Sequence, residues 1–128
     1  MLEKEFSLLI MKFRILYHEA LKDKEIGCYN KAISALWFSI ENLIKALMLK
    51  VKGSYSNKVG TLLNFFSNFV KNSNINLDVV ESVREIYLAR MHIDHKLLIM
   101  DKTRCKVIFN KAEDVLRALE KMLEMELI

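Results

Sequence analysis

Proline is absent from the 128-residue sequence, glycine occurs only at Gly27, Gly53 and Gly60, and cysteine only at Cys28 and Cys105. With so few residues that break or bend a helix, helices can run long, and no proline-, glycine- or serine-rich stretch is present to link separate domains. The two cysteines are far apart and have no CxxC spacing, so they build neither a disulfide framework nor a zinc site. They are expected to be reduced thiols in a cytoplasmic protein. Also missing is an uninterrupted apolar run of the roughly 18 residues that a membrane span needs. The opening MLEKEFSLLIMKF sets charges among its apolar residues. Neither a signal peptide nor a transmembrane helix is therefore expected.

What is present is a core-forming composition. Hydrophobic residues make up 52% and charged residues 28%, which excludes a disordered chain. The length fits one compact domain spanning residues 1–128. A formal charge of +4 with a pI near 9.1 tolerates an anionic partner such as RNA or a nucleotide without requiring one.

The apolar residues recur at helical spacing. Phe6, Leu9, Ile10, Phe13, Leu16, Tyr17 and Ala20 form one stripe, which ends near KDKEIG. A second, more apolar segment from Tyr29 through Ile33, Trp37, Ile40, Ile44, Leu47 and Met48 to Val51 predicts a long central helix that stops at KVKGSYSNK. A shorter helix carries Leu62, Leu63, Phe66, Phe69 and Val70. Asn76 or Asp78 then caps a fourth helix with Val79, Val80, Val83, Ile86, Tyr87, Arg90, Ile93 and Leu97 on one side. The last helix begins near Asp101 or Thr103 and carries Cys105, Ile108, Ala112, Val115, Leu116, Leu119, Met122 and Leu123. No period-two alternation competes with this pattern. The predicted fold is all-α: an up-and-down antiparallel bundle of about five helices, four long and one short, joined by short loops.

The fourth helix contains the chemically unusual segment, LARMHIDHKL at positions 88–97. At about 100° per residue, Arg90 lies close to Val83 and Tyr87 around the axis, inside the apolar stripe. A buried guanidinium needs a partner, and Asp94 is one turn away at ion-pairing distance. That pair is one complete reading of the segment. His95 opens another. It can act as general base or acid on a ribose 2′-hydroxyl while Arg90 stabilises charge developing on the phosphate and Asp94 orients either group. On an ideal helix, however, His95 lies about 140° from Arg90. A bend, long side chains or a second subunit is needed to bring them together.

Other residues have simpler readings. His92 and His95 share a face near Asp94, but a structural zinc site needs four ligands and no second Cys or His cluster is present, so no metal and no cofactor are expected. His18 reads as an isolated surface or boundary histidine. Glu41 and Lys45 form an i, i+4 surface pair, or Glu41 reaches across the bundle to Arg90 or His95. Lys45, Lys50, Lys52, Lys58 and Lys71 are either a phosphate-attracting patch or a solvated face. Trp37, Phe38, Phe65, Phe66 and Phe69 have the spacing of core residues rather than of base-stacking platforms.

Three stretches together resemble the HEPN family of small helical domains associated with nucleotide handling. KAISALWFSIENLIKALMLKVKG is similar to the family's long second helix, SYSNKVGTLLNFFSNFVKNSNI to the loop and short helix that follow, and VREIYLARMHIDHKL to the fourth helix. The likeness covers nearly the whole chain. Nuclease members of the family carry an R-x4-6-H motif, which Arg90 and His95 match in its R-x4-H form. Met91 and Leu97 stand where toxin-like members often have a polar residue and a tyrosine. Asp94-His95 can equally be read as the Asp-Tyr of the noncatalytic-looking branch, with His in place of Tyr.

The resemblance implies a homodimer in which the two fourth-helix ends meet across a twofold axis. It implies a toxin-like, metal-independent endoribonuclease, active or ancestral, with Arg90, His95 and Asp94 as its site, and a minimal nucleotidyltransferase partner that neutralises it. The alternatives are a catalytically silent dimer that binds a nucleotide or the transferase, and a structural dimer in which the Arg90 to Asp94 pair specifies helix packing.

Overall fold

The computed structural model describes residues 2–95 and 99–128. It is an all-α bundle of five helices: α1 (Leu2–Glu25), α2 (Tyr29–Lys52), α3 (Val59–Asn72), α4 (Asp78–His95) and α5 (Lys102–Leu123). α3 is the shortest, as the sequence predicts. Among the described residues there is no strand.

The few breakers fall where the chain turns. Gly27 has a φ of 87° in the three-residue connection that reverses α1 into α2, a conformation that costs a side-chain-bearing residue energy. Gly53 has a φ of 81° and its N–H returns to the carbonyl of Leu49, the left-handed C-cap that ends α2. Asn76 Oδ1 accepts a hydrogen bond from the Asp78 amide at 3.0 Å before α4. Asp101 Oδ1 accepts from the Arg104 amide at 2.8 Å at the start of α5, satisfying one of the free amides of the first turn.

α2 is the hub, packing against all four other helices and most extensively against α1. Ala32, Ile33, Leu36, Trp37, Ile40, Leu43, Ile44 and Leu47 are almost wholly buried along it. Two of its buried polar side chains are satisfied within the helix: Ser39 Oγ donates to the Leu36 carbonyl at 2.7 Å, and Asn42 Nδ2 to the Phe38 carbonyl at 2.8 Å. By length and mean hydropathy α2 is long and apolar enough to cross a bilayer, but 72% of its most apolar window is buried inside the bundle. Such burial is what a helix touching four neighbours requires.

Two details differ from the sequence pattern. Val51 lies in the last turn of α2 and is half exposed, because the apolar face extends beyond what the neighbouring helices cover. Phe109 is a buried core residue outside the predicted stripes, whereas Phe65, expected in the core, is buried there. Phe65 widens the packed face of α3, its ring 6.0 Å from that of Phe69.

After α5 the chain folds back on itself. Glu120 Oε2 accepts hydrogen bonds from the amides of Leu127 and Ile128 at 2.7 and 3.2 Å, and Leu127 is buried. These two bonds favour the ionised carboxylate and hold the Glu120 carboxyl below its ordinary range. A depressed folded-state value gives a contribution that is present above the unfolded value and is lost as pH falls through the folded one. Acidification through the normal glutamate range is therefore expected to leave the Leu127 and Ile128 amides protected, with release only below it. Amide chemical shifts followed through an acid titration measure this; release at the ordinary glutamate value would contradict the tie.

Candidate functional site at the end of helix α4

α4 runs without a break from Asp78 through His95, so the helix does not break at Asp94. Val80, Val83 and Ile86 are buried on its inner face, and Tyr87 packs on Trp37 of α2 with ring centroids 5.0 Å apart. One turn further on, Arg90 continues the same inner face. Leu97, predicted on that stripe, lies outside the described residues.

Arg90 is held from two sides. Its guanidinium carbon sits 4.6 Å from the centroid of the Phe38 ring of α2, within the range of a cation–π contact. Its Nε is 3.1 Å from Asp94 Oδ2, with 24% of the Arg90 side chain and 34% of the Asp94 side chain exposed. The distance is that of an ion pair. The Nε–H is nevertheless shut off from solvent and not aligned on any acceptor among the described residues, so the attraction is chiefly Coulombic. The Trp37 indole N–H, likewise buried, also lacks an acceptor among the described residues.

His95 is exposed and occupies the last helical turn. Because the helix stays regular to this point, His95 projects roughly 140° around the axis from Arg90. Asp94 therefore meets Arg90, whereas His95 faces away, and one chain by itself does not converge both groups on one reacting phosphate.

Asp94 also lines a groove of about 500 Å³ with Glu19 and Asp23 of α1 and Lys31 and Phe38 of α2. Three carboxylates against one lysine make this groove a poor phosphate site. On the other side of α4, His92 joins Leu88, Ala89, Val107 and Ile108 in an apolar groove of about 400 Å³ between α4 and α5. Leu88 and Val107 are about half exposed there. Just before α5, Met100 is pinned by Asn30 Oδ1, which accepts its amide at 2.8 Å.

The remaining candidates separate clearly. Arg90 pairs with Asp94, and Glu41 makes no ion pair among the described residues. Lys50 is committed to α5, donating to the Leu123 carbonyl at 2.9 Å and approaching Glu124 at 3.9 Å. Lys52 lies over the Phe65 ring at 5.9 Å. His18 is exposed on α1. Among the described residues no three His, Cys, Asp or Glu side chains gather to hold a metal ion. Phe38 is the site residue that sequence reasoning assigned to the core. It is half-buried, and its immediate sequence, next to Trp37 in the most apolar helix, carries no signal that its ring faces an arginine.

Comparison with models of protein families gives no match for this chain, and comparison with curated proteins gives none either.

Proposed function

We propose that this chain is a HEPN-type protein that works as a homodimer, acting as or derived from a metal-independent endoribonuclease whose site joins Arg90 of one subunit to His95 of the other. The observation that carries this reading is the arrangement at the end of α4. Asp94 and Phe38 fix Arg90 on one face, and His95 stands free on another face within the next turn. A twofold axis beside that end gives each Arg90 an opposing His95, and the neighbouring groove of Leu88 and Val107 offers apolar surface for the dimer to bury.

In this site the His95 imidazole accepts the proton of a ribose 2′-hydroxyl as its oxygen attacks the adjacent phosphorus. The 5′-oxygen leaves and takes up a proton. The products are a 2′,3′-cyclic phosphate and a 5′-hydroxyl end. Arg90, always cationic, stabilises the charge on the phosphoryl oxygens in the transition state. The partner of this system is a minimal nucleotidyltransferase, which acts as the neutralising component.

A specific observation also favours the catalytically silent form. Much of Arg90 is already engaged by Asp94 and Phe38, and the nearest groove is acidic. In that form the same dimer presents its surface to a nucleotide or to the transferase without cleaving RNA.

The deciding experiment incubates purified protein with mixed cellular RNA in EDTA beside the His95→Ala variant. Cleavage by the parent, with cyclic phosphate ends, and none by His95→Ala is expected. Equal cleavage by both removes His95 from the mechanism. No cleavage by a folded, dimeric parent assigns the chain to the silent form.

A further inference from the structure

α1 carries a second apolar face that the bundle leaves bare. Its inner stripe of Leu9, Ile10, Phe13 and Ala20 is buried. On the opposite side Leu8, Met11 and Ile15 are 46%, 54% and 54% exposed. Three large apolar side chains one after another along an outer helix face exceed the scatter of single exposed residues expected on a soluble surface.

The charges around this stripe choose its occupant. When two copies of α1 pack antiparallel with the twofold axis passing between Met11 and Lys12, Leu8 faces Ile15 of the second copy. The same register sets Lys4 opposite Glu19 of the second copy and Glu5 opposite His18 of the second copy. Lys4, Glu5, His18 and Glu19 are all exposed and free to meet these partners, and twofold symmetry makes each contact twice. Parallel packing instead sets Lys4 on Lys4 and Glu19 on Glu19, each pair repelling. Acidic and basic residues are equal in number along α1, so the helix has no cationic excess for an anionic membrane or nucleic acid.

We propose that the outer face of α1 is a self-association surface, on which a second copy of this chain docks antiparallel through Leu8, Met11 and Ile15, with Lys4 of each copy on Glu19 of the other. One helix crossing buries less than the roughly 1,000 Å² of a stable interface. The contact is therefore weak and concentration-dependent. It brings a lysine beside the acidic groove that Glu19 shares with Asp94. The surface is separate from the end of α4 and stands or falls independently of the ribonuclease reading.

Zero-length carbodiimide cross-linking of an equimolar mixture of isotopically light and heavy protein tests it. Along one helix Lys4 and Glu19 are about 22 Å apart, so any Lys4–Glu19 cross-link joins two molecules. The expected result is a mixed-isotope Lys4–Glu19 peptide whose yield rises with protein concentration. It is lost in Ile15→Glu and in Lys4→Glu, restored with reversed chemistry in Lys4→Glu/Glu19→Lys, and kept in the α4 variant Leu88→Glu. All the altered side chains are exposed, and unchanged melting temperatures confirm that the variants fold. Absence of the peptide from the parent, its persistence in Ile15→Glu, or failure of the double variant to restore it overturns the proposal. Flotation of the parent with phosphatidylcholine and phosphatidylserine vesicles, without the cross-link, assigns the face to a membrane and overturns it as well.

Discussion

Trp37→Ala is expected to destabilise the bundle by about 3–5 kcal/mol, the range for removing a large aromatic side chain from a packed core. Trp37 is 1% exposed in the middle of α2, the helix that touches all the others, and its ring packs at a 59° tilt on Tyr87 of α4. Truncation removes the transfer free energy of the indole and opens a cavity between α2 and α4 that rigid helices collapse into poorly. Small domains have only about 5–15 kcal/mol of stability in all, so the loss is expected to leave a substantial unfolded population at moderate denaturant. Trp37→Phe separates shape from polarity. It keeps most of the ring and removes an indole N–H that is buried without an acceptor among the described residues, so its cost is expected to stay below about 1.5 kcal/mol. Urea unfolding monitored by far-UV circular dichroism measures both. A Trp37→Ala cost below about 1 kcal/mol would contradict the central place given to this residue.

The Trp37–Tyr87 contact is also what sets the height of Arg90. Its side chain lies one turn beyond Tyr87 on the same face of α4, and Phe38 is the next residue after Trp37 on α2, so the cation–π contact continues the aromatic contact beneath it. Packing in the core and the geometry of the site are therefore one arrangement, with the α2–α4 seam as its common element.

What could be read in the sequence follows the range of the interactions. Helix boundaries are set locally, by Gly53 in the left-handed region and by the caps at Asn76 and Asp101. The absence of proline leaves nothing to confuse them, and all five helices were legible. The Arg90 to Asp94 pair was legible for the same reason, since one turn of helix brings the two side chains together whatever surrounds them. Phe38 was not. Its ring meets Arg90 only because α4 packs on α2, and nothing in its sequence neighbourhood distinguishes a ring that faces a cation from one that faces the core. Glu19 and Asp23 of α1 share a groove with Asp94 of α4 in the same non-local way. The bare face of α1 escaped notice because a single dominant apolar stripe satisfies the helical pattern, and Leu8, Met11 and Ile15 are apparent only once that stripe is buried. Whether the helix bends near His95 depends on backbone geometry that the residue types leave open, and the regular turn there is what moves His95 away from its own Arg90.

Arg90→Ala is expected to separate function from folding. The ion pair it removes is partly exposed and contributes about 0–1 kcal/mol, and the lost cation–π contact with Phe38 adds about 0.5–1 kcal/mol, so the melting temperature should fall by only a few degrees while the chain stays folded. Under the proposed function RNA cleavage falls by about 10²-fold or more, the usual cost of deleting a group that stabilises transition-state charge. Arg90→Lys is expected not to rescue activity, because an ammonium replaces neither the planar contact with Phe38 nor the forked donors of the guanidinium. Cleavage rates of Arg90→Lys equal to the parent would contradict that role.

A site shared between two subunits, as proposed, makes one further demand, and it is the most direct test of the proposed function. A dimer formed from one Arg90→Ala subunit and one His95→Ala subunit contains a cleft in which the remaining Arg90 and the remaining His95 come from different chains. Each variant alone should be inactive in EDTA. Mixing the two under subunit exchange should restore RNA cleavage in the fraction of molecules that are mixed dimers. Continued inactivity of verified mixed dimers, while the parent cleaves RNA, would contradict a site built across two subunits.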